Sequence, residues 1–526
     1  MKTFIKNQFL LPTLIVSLNL MLAGRVTAQT FTNLHSFGST PTDGLQPTSG
    51  LVLSGNLLYG TTDGGGSSGS GAIFSIHTDG TGYTNLYSFT AGKTNSSGIL
   101  TNSDGANPGG GYVPGGRLVL SGNILYGTTF NGGSGGYGTV FKVHTDGTSF
   151  TNLHSFLPDF NGGNDDGANP DDNLILSGDT LYGATLFGGI FTDGTIYKVN
   201  TDGTSFTTLH NFPFIQISNT NSDGALPLGG LVLLGDMIYG TTDTGGPGAG
   251  GTIFAVNTTG TVFTNLHSFD ASLLGANSDD GYDPDGGLVL SGVTLYGTTS
   301  RGGANNGGTV FKISADGTGY TIVHSFDGLA SVGTNNVPGP NTGGSVPFTS
   351  LTIAGSTLYG AAQFGGSFGN GTLFALNTDG TGFTTLYNFT AISTNSFGYF
   401  TNSDGAFPYG SLTISSNVLY GTTTTGGIYG TAYQGEYGPG GGFLAPGDGT
   451  LFSLKLPPPQ LTIIPSGTNV ILTWPANTAE YILQSTTNLV SSAVWGNVSP
   501  SAVIVNGQNT VTNPISGTQQ FFRLSQ

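Results

Sequence analysis

The sequence predicts an all-β protein: a seven-bladed β-propeller closed by an N-terminal strand and followed by a small β-sandwich. Three observations lead there. The 526 residues include 92 Gly and 24 Pro, only 7% are charged and just two are Glu (Glu436 and Glu480), so good helix formers are scarce. Hydrophobic residues at 36% and aromatics at 11% still suffice for a packed core. A Leu/Ile-Tyr-Gly tripeptide recurs with its tyrosine at 59, 126, 182, 239, 296, 359 and 420, and such a period marks a repeat architecture.

The elements follow in chain order. Residues 1–28 read as a signal peptide, with Lys2 and Lys6 before the apolar stretch Phe9 to Leu22 and a Val26-Thr27-Ala28 cleavage site. Cleavage would remove Lys2, Lys6 and Arg25 and take the net charge from −17 to −20. No later segment has the ~20 apolar residues of a membrane helix, so a secreted or cell-surface protein is expected. Residues 29–456 carry the repeat. Its clearest copy, Gly230 to Phe269, holds four short β-like segments, called A to D from inner to outer: GLVLLG, MIYGTT, GTIFAV and VFTNLHSF. Gly-Asp, Thr-Gly and Asp-Gly pairs join them, the last at Asp79, Asp146, Asp202, Asp316 and Asp379, and such pairs supply the positive φ of tight hairpins. Four strands per period suit a propeller blade. Segment D is the least regular, with apolar residues at i, i+3 and i+6 rather than alternating.

The ends predict how the ring closes. Phe31-Thr32-Asn33-Leu34-His35-Ser36-Phe37 is a D strand with no A to C before it, and the last A to C set, Ser411 to Leu456, has no D after it. The N-terminal strand is therefore expected to complete the last blade and remove its exposed edge. Pro457-Pro458-Pro459 is a stiff linker. Residues 460–526 alternate apolar positions (Leu461, Ile463; Val470, Leu472, Trp474) between turns at Ser466-Gly467 and Asn506-Gly507, which is similar to fibronectin type III or immunoglobulin-like modules.

Over residues 30–456 the recurring LYGTT…GG…GTIF…TDGT…F…LHSF pattern resembles the GloVer tandem repeat of bacterial exported, choice-of-anchor proteins. The resemblance implies an exported bacterial repeat protein of propeller-like form. It implies no activity.

Function is read from what varies. The A–B and C–D turns stay short, while length varies in the D–A loops (90–116, 157–173, 213–230, 270–287, 327–350, 390–411) and in the B–C loop 424–448, all on one face. Variable loops on a rigid scaffold are where binding sites are built. That face is expected to bind a polysaccharide or a surface protein. Its aromatic residues (Phe364, Phe368, Phe397, Tyr399, Phe400, Phe407, Tyr409, Tyr429, Tyr433, Tyr437, Phe443) could stack on sugars or pack on one another. Acidic runs at Asp165–Asp172 and Asp279–Asp285, and TNSDGAxP at 101–108, 220–227 and 401–408, raise calcium as an alternative to no cofactor, through Asn219, Asn221 and Asp223. Asp-Gly-x-x-Pro also recurs from Asp43 to Pro47, which favours a shared turn.

No catalytic, cofactor or metal residue is assigned, and a non-catalytic protein is expected. GxSxG at Gly65–Gly69, Gly132–Gly136 and Gly365–Gly369 falls in Gly-rich loops rather than on a strand-to-helix elbow. His35, His154, His210, His267 and His324 share one repeat position with Tyr87 and Tyr387, which suits a ring packed between blades. His77 and His144 share another with Asn200, Asn257 and Asn377. Arg117 and Arg301 break the repeat on the loop face and could orient an acidic ligand or pair with local Asp. A glycan-active enzyme remains the alternative if carboxylates of raised pKa converge near these arginines at the channel mouth, and a purely structural protein is the third reading. The negative charge excludes nucleic acid, the absence of Cys excludes disulfides and thiol chemistry, and a monomer is expected.

Overall fold

The computed structural model describes residues 29–40, 42–107, 117–157, 164–171, 174–216, 219–271, 278–328, 340–394, 400–428, 448–475, 481–487, 494–505, 508–514 and 520–525. Among them there is no helix. Short antiparallel strands form because Val, Ile, Tyr, Phe and Thr runs are cut every few residues by Gly, Asp and Asn turns.

Six four-stranded meanders span residues 52–88, 119–155, 175–211, 232–270, 289–327 and 352–388. In the fourth, Val232–Leu234, Met237–Thr242, Ala249–Asn257 and Phe263–Asp270 pair in that order. A seventh sheet is built from both ends of the repeat region. Val418–Thr425 pairs with Thr450–Lys455, which pairs in turn with the N-terminal strand Thr30–Ser36, from Thr30 opposite Lys455 to Ser36 opposite Thr450. Thr413–Ser415 and Ala406–Pro408 both lie along its inner side.

Each sheet packs on the next through one apolar cluster. Tyr239, Ile253 and Phe269 of the fourth meet Leu288, Leu295 and Phe311 of the fifth. Phe37, Tyr420 and Leu451 of the seventh meet Leu51, Leu58 and Phe74 of the first. The seventh thus leads back to the first, and the arrangement is propeller-like.

The B-strand glycine of the tripeptide has a steric cause. A Cβ on Gly240 would lie 2.6 Å from the Phe254 ring and 2.7 Å from Leu231, and Gly60, Gly127, Gly297, Gly360 and Gly421 face a phenylalanine in the same way. The irregular D segment also has a structural cause. It is a strand with a bulge: Phe141 is opposite Asn152 and Val140 opposite His154, so Leu153 is the extra residue. The same shift recurs at Ile196/Tyr197, Ile253/Phe254 and Leu373/Phe374. The bulge converts a period of two into the observed spacing of three.

Beyond the prolines, Thr462–Ser466, Asn469–Pro475, Gln508–Pro514 and Val503–Val505 form one sheet. Gly496–Asn497, Ile482–Thr486 and Phe521–Ser525 form another. Leu472, Trp474 and Val511 of the first share a buried cluster with Leu483 of the second.

Candidate functional site

Two features recur from sheet to sheet. The first is an aromatic clamp between neighbouring sheets. His35 stacks on Tyr83 at 4.0 Å, Tyr87 on Phe150 at 4.2 Å, and His154, His210, His267 and His324 on Phe206, Phe263, Tyr320 and Phe383 at 3.8 Å. Tyr387 on Phe31 at 4.1 Å completes the cycle across the N-terminal strand. The polar tip of each ring except His324 meets the aspartate of the next Asp-Gly turn. His35, His154, His210 and His267 lie 2.9–3.1 Å from Asp43, Asp166, Asp223 and Asp280, and Tyr87 and Tyr387 donate to Asp104 and Asp404 at 2.8 and 2.9 Å. Burial opposes the charge on Asp43, yet its bonds from His35, Tyr83 and Ser39 hold the carboxyl below the usual range. The His210 bond does the same for Asp223.

The second feature is a strained residue before each proline. Gln46, Asn107, Asn169, Leu226, Asp283, Val346 and Phe407 all have φ between 54° and 59°, a region disfavoured for any side chain and most for a β-branched one. Hydrogen bonds hold it. The Asp283 amide donates to Gly250 of the fourth sheet, while its carbonyl accepts from Ser300 of the fifth. Asn107 and Leu226 are clamped alike across the seams that precede their own sheets. Sevenfold repetition makes this strain a scaffold property.

On that scaffold the chemistry differs from seam to seam. The residue after the Thr or Ala pair that closes the strand-B motif is Asp63, Phe130, Leu186, Asp243, Ser300, Gln363 or Thr424, and the residue after the turn proline includes Thr48, Asp171, Leu228, Asp285, Phe348 and Tyr409. Phe130, Leu186 and Leu228 form a buried apolar cluster. The next seam is acidic. Asp285 is 7% exposed, and its carboxyl and that of Asp243 act on each other across the fourth and fifth sheets. Arg301 Nη1 lies 3.2 Å from Asp283 Oδ2.

Burial, the charges of Asp243 and Asp283 and the bond to Asp243 push the Asp285 carboxyl well up. Burial raises Asp243 against its bond from Asp285 and the Arg301 charge. Burial and the Asp243 charge push Asp283 up to about 7. Burial does the same for Asp63, to about 7 against a bond from Asn107, although part of the residue's surface is still exposed. Burial raises Tyr409, with the charges of Asp171, Asp285 and Asp63 adding to it. These residues therefore share one electrostatic environment. Groups that change protonation near neutrality can hold or pass a proton and can hydrogen-bond hydroxyl-rich ligands.

The sequence-predicted residues separate accordingly. Arg301 pairs with Asp283, as the local-pair reading requires. Burial lowers the Arg117 guanidinium, whose Cβ would meet one placed on Gly50 at 3.5 Å. Phe407 is buried with Phe364 edge-on at 5.4 Å, and Tyr409 stacks on Phe348 at 5.4 Å, so these loops fold onto their own rings. Phe368 is 52% exposed. Phe397, Tyr399, Tyr429, Tyr433, Tyr437 and Phe443, with the side chain of Phe400, lie outside the described residues. The Asn221 amide oxygen accepts from Gly224 and Gly246, and Asp223 faces His210, so this loop's oxygens serve its turn. Among the described residues no group of three His, Cys, Asp or Glu is placed to hold a metal ion, and no helix is long and apolar enough to cross a membrane. Sequence reading missed Asp63 and Asp243. Their signal was the position directly after each Thr-Thr, where the repeat stops repeating.

A family model described as the Gloeobacter/Verrucomicrobia repeat matches residues 106–277 and 214–433, together more than half of the chain. No curated protein matches it in sequence. Similar solved structures include an oligogalacturonate lyase from Vibrio parahaemolyticus (9% identity, 82% of this chain and 97% of that one, TM-score 0.43). TolB from Acinetobacter baumannii is another (14%, 59% and 58%, 0.31), as is a chain of a nidogen/laminin complex (12%, 63% and 93%, 0.35).

Proposed function

The chain belongs to the Gloeobacter/Verrucomicrobia repeat family, and from that premise we propose that it is an exported, monomeric seven-bladed β-propeller with a C-terminal β-sandwich. It binds an extracellular polysaccharide or surface protein through the loop face, with the ring mouth as the centre of the site. One observation carries this reading. The packing positions repeat around the ring (Phe74, Phe141, Tyr197, Phe254, Phe311, Phe374, Phe452), whereas the seven positions after the strand-B motif hold six different residue types. Structural need alone accounts for the first set. A chemically uneven mouth on an even scaffold suits recognition. Acidic groups beside an apolar cluster, with the exposed Phe368, supply hydrogen bonds and a stacking surface for sugars.

The test is binding of residues 29–526 to an array of bacterial and plant polysaccharides, with calcium and with chelator. Saturable binding is expected, weakened about tenfold by Phe368→Ala or Asp63→Asn, a loss of roughly 1.4 kcal/mol. Absence of binding to every glycan under both conditions would direct the search to protein partners or a structural role.

The Asp243–Asp285 pair favours a second reading, a glycan-active enzyme with this pair as acid and base. Release of reducing ends from a bound glycan, abolished by Asp285→Asn with binding retained, supports it. Intact product after prolonged incubation excludes it.

A further inference from the structure

We propose that the seam between the fifth and sixth sheets holds a carboxylate-binding niche at His324, in which the uronate carboxyl of an acidic glycan takes the place that the protein's own aspartate fills in other seams. The niche is argued from the fold; only the source of its carboxylate rests on the glycan reading above.

The molecule carries its own templates for this contact. His35, His154, His210 and His267 each bring Nε2 to 2.9–3.1 Å from an aspartate oxygen of the next turn. His324 keeps the same pose. It stacks on Phe383 at 3.8 Å and 8° and stands edge-on to Phe326 at 4.7 Å. His267 does the same on Tyr320 (3.8 Å, 6°) and Phe269 (4.7 Å). The turn beside His324 keeps its backbone as well. The Asn341 side chain accepts from the Gly344 amide at 2.7 Å and donates to the Gly344 carbonyl at 2.9 Å, and Thr372 donates to the Gly343 carbonyl at 3.1 Å. Two seams earlier, Asn221, Gly224, Thr252 and Asp223 make the same three bonds. Gly343 therefore stands where Asp223 stands, and the group that differs is the carboxylate. Among the described residues, only the Phe383 ring comes within 4 Å of a Cβ placed on Gly343, at 3.4 Å.

The surroundings suit a carboxylate. His324 is half-buried, and among the described residues no carboxylate pairs with it. Burial lowers its imidazole, opposed by the Asp327 charge. An acceptor on the ring N–H replaces the water that burial removes. Asp327 does not bar a second carboxyl. Its Oδ1 accepts from Asn305 at 3.0 Å. The preceding seam holds Asp280 on His267 with Asp270 at the position of Asp327, directly after the strand-D phenylalanine.

NMR titration of the five clamp histidines in the folded chain tests this, with the four aspartate-paired rings as internal controls. Saturating glucuronate is expected to raise the His324 midpoint by about one pH unit, because a bound carboxylate favours the protonated ring. Glucose, which lacks the carboxyl, and chloride at equal ionic strength should leave it in place, and the other four rings should scarcely move. Gly343→Asp supplies the carboxyl from the chain itself. It should raise the His324 midpoint without ligand and abolish the response to glucuronate. His324→Phe keeps the stack and should weaken retention on a uronate-bearing polysaccharide about tenfold. An unmoved His324 midpoint in the natural chain overturns the proposal, as does an equal shift of all five rings or a response that persists in Gly343→Asp. Binding of neutral glycans with His324 unmoved would keep the function reading and remove only the niche. A His324 response with no polysaccharide bound would keep the niche and remove that reading.

Discussion

At the scale of single residues, the repeat is explained by contacts that admit one side chain. The B-strand glycine is flat because the strand-C ring lies over it. Gly240→Ala places a methyl inside the van der Waals radius of Phe254 and is expected to cost about 1–3 kcal/mol, read as a lowered midpoint in denaturant. The aspartates divide into two classes with opposite pH behaviour. Asp43 is held low by His35, Tyr83 and Ser39, so its contribution is present above its unfolded value near 4 and lost as pH falls through the folded value. Asp43→Asn should therefore cost ~1–2 kcal/mol at pH 7, a cost that shrinks as pH falls through the folded value. Asp63 is raised to about 7, so its folded form holds the proton more tightly. Stability falls as pH rises from about 4 to about 7 and levels off above. Asp63→Asn should leave the melting temperature at pH 4 nearly unchanged and raise it at pH 8. Melting curves at both pH values check the two signs together.

At the scale of elements, the fourth strand and the closing strand show how local pattern and long-range pairing combine. The bulge at Leu153 and its counterparts turns the ring residue of LHSF toward the next sheet, where it stacks and meets the next Asp-Gly turn. Thr30–Ser36 supplies the outer strand of the seventh sheet and Phe31 the last aromatic stack. Deleting residues 29–38 would leave Thr450–Lys455 as an unpaired edge and remove Phe37 from the cluster joining the seventh and first sheets. A markedly lower melting temperature and concentration-dependent aggregation are expected in calorimetry and light scattering. An unchanged melting curve would mean that this strand does not hold the ring.

At the scale of the whole molecule, a nearly uniform series of sheets carries loop positions that are not uniform. Asp243, Asp283 and Asp285 act on one another, and Asp63, Asp171 and Asp285 act on Tyr409, although they come from different sheets. Stability should consequently fall from mildly acidic to neutral pH, because the buried carboxyls bind protons more tightly when folded. A melting temperature that rises steadily from pH 5 to 8 would contradict this.

The sequence by itself determined the all-β class, the sevenfold repeat, its four strands and the family. Each depends on local pattern, turn chemistry and a period that a chain carries without folding. It also made the shared ring position visible, because His and Tyr alternate there from copy to copy. Only the tertiary structure decided which residues meet at the mouth. Asp243 and Asp285 lie in different repeats, and although Asp285 ends a visible acidic run, nothing local links it to Asp243. Their mutual electrostatic influence, like the strain at Val346 and the packing of Phe407, exists because neighbouring sheets bring non-local groups together and exclude water from them.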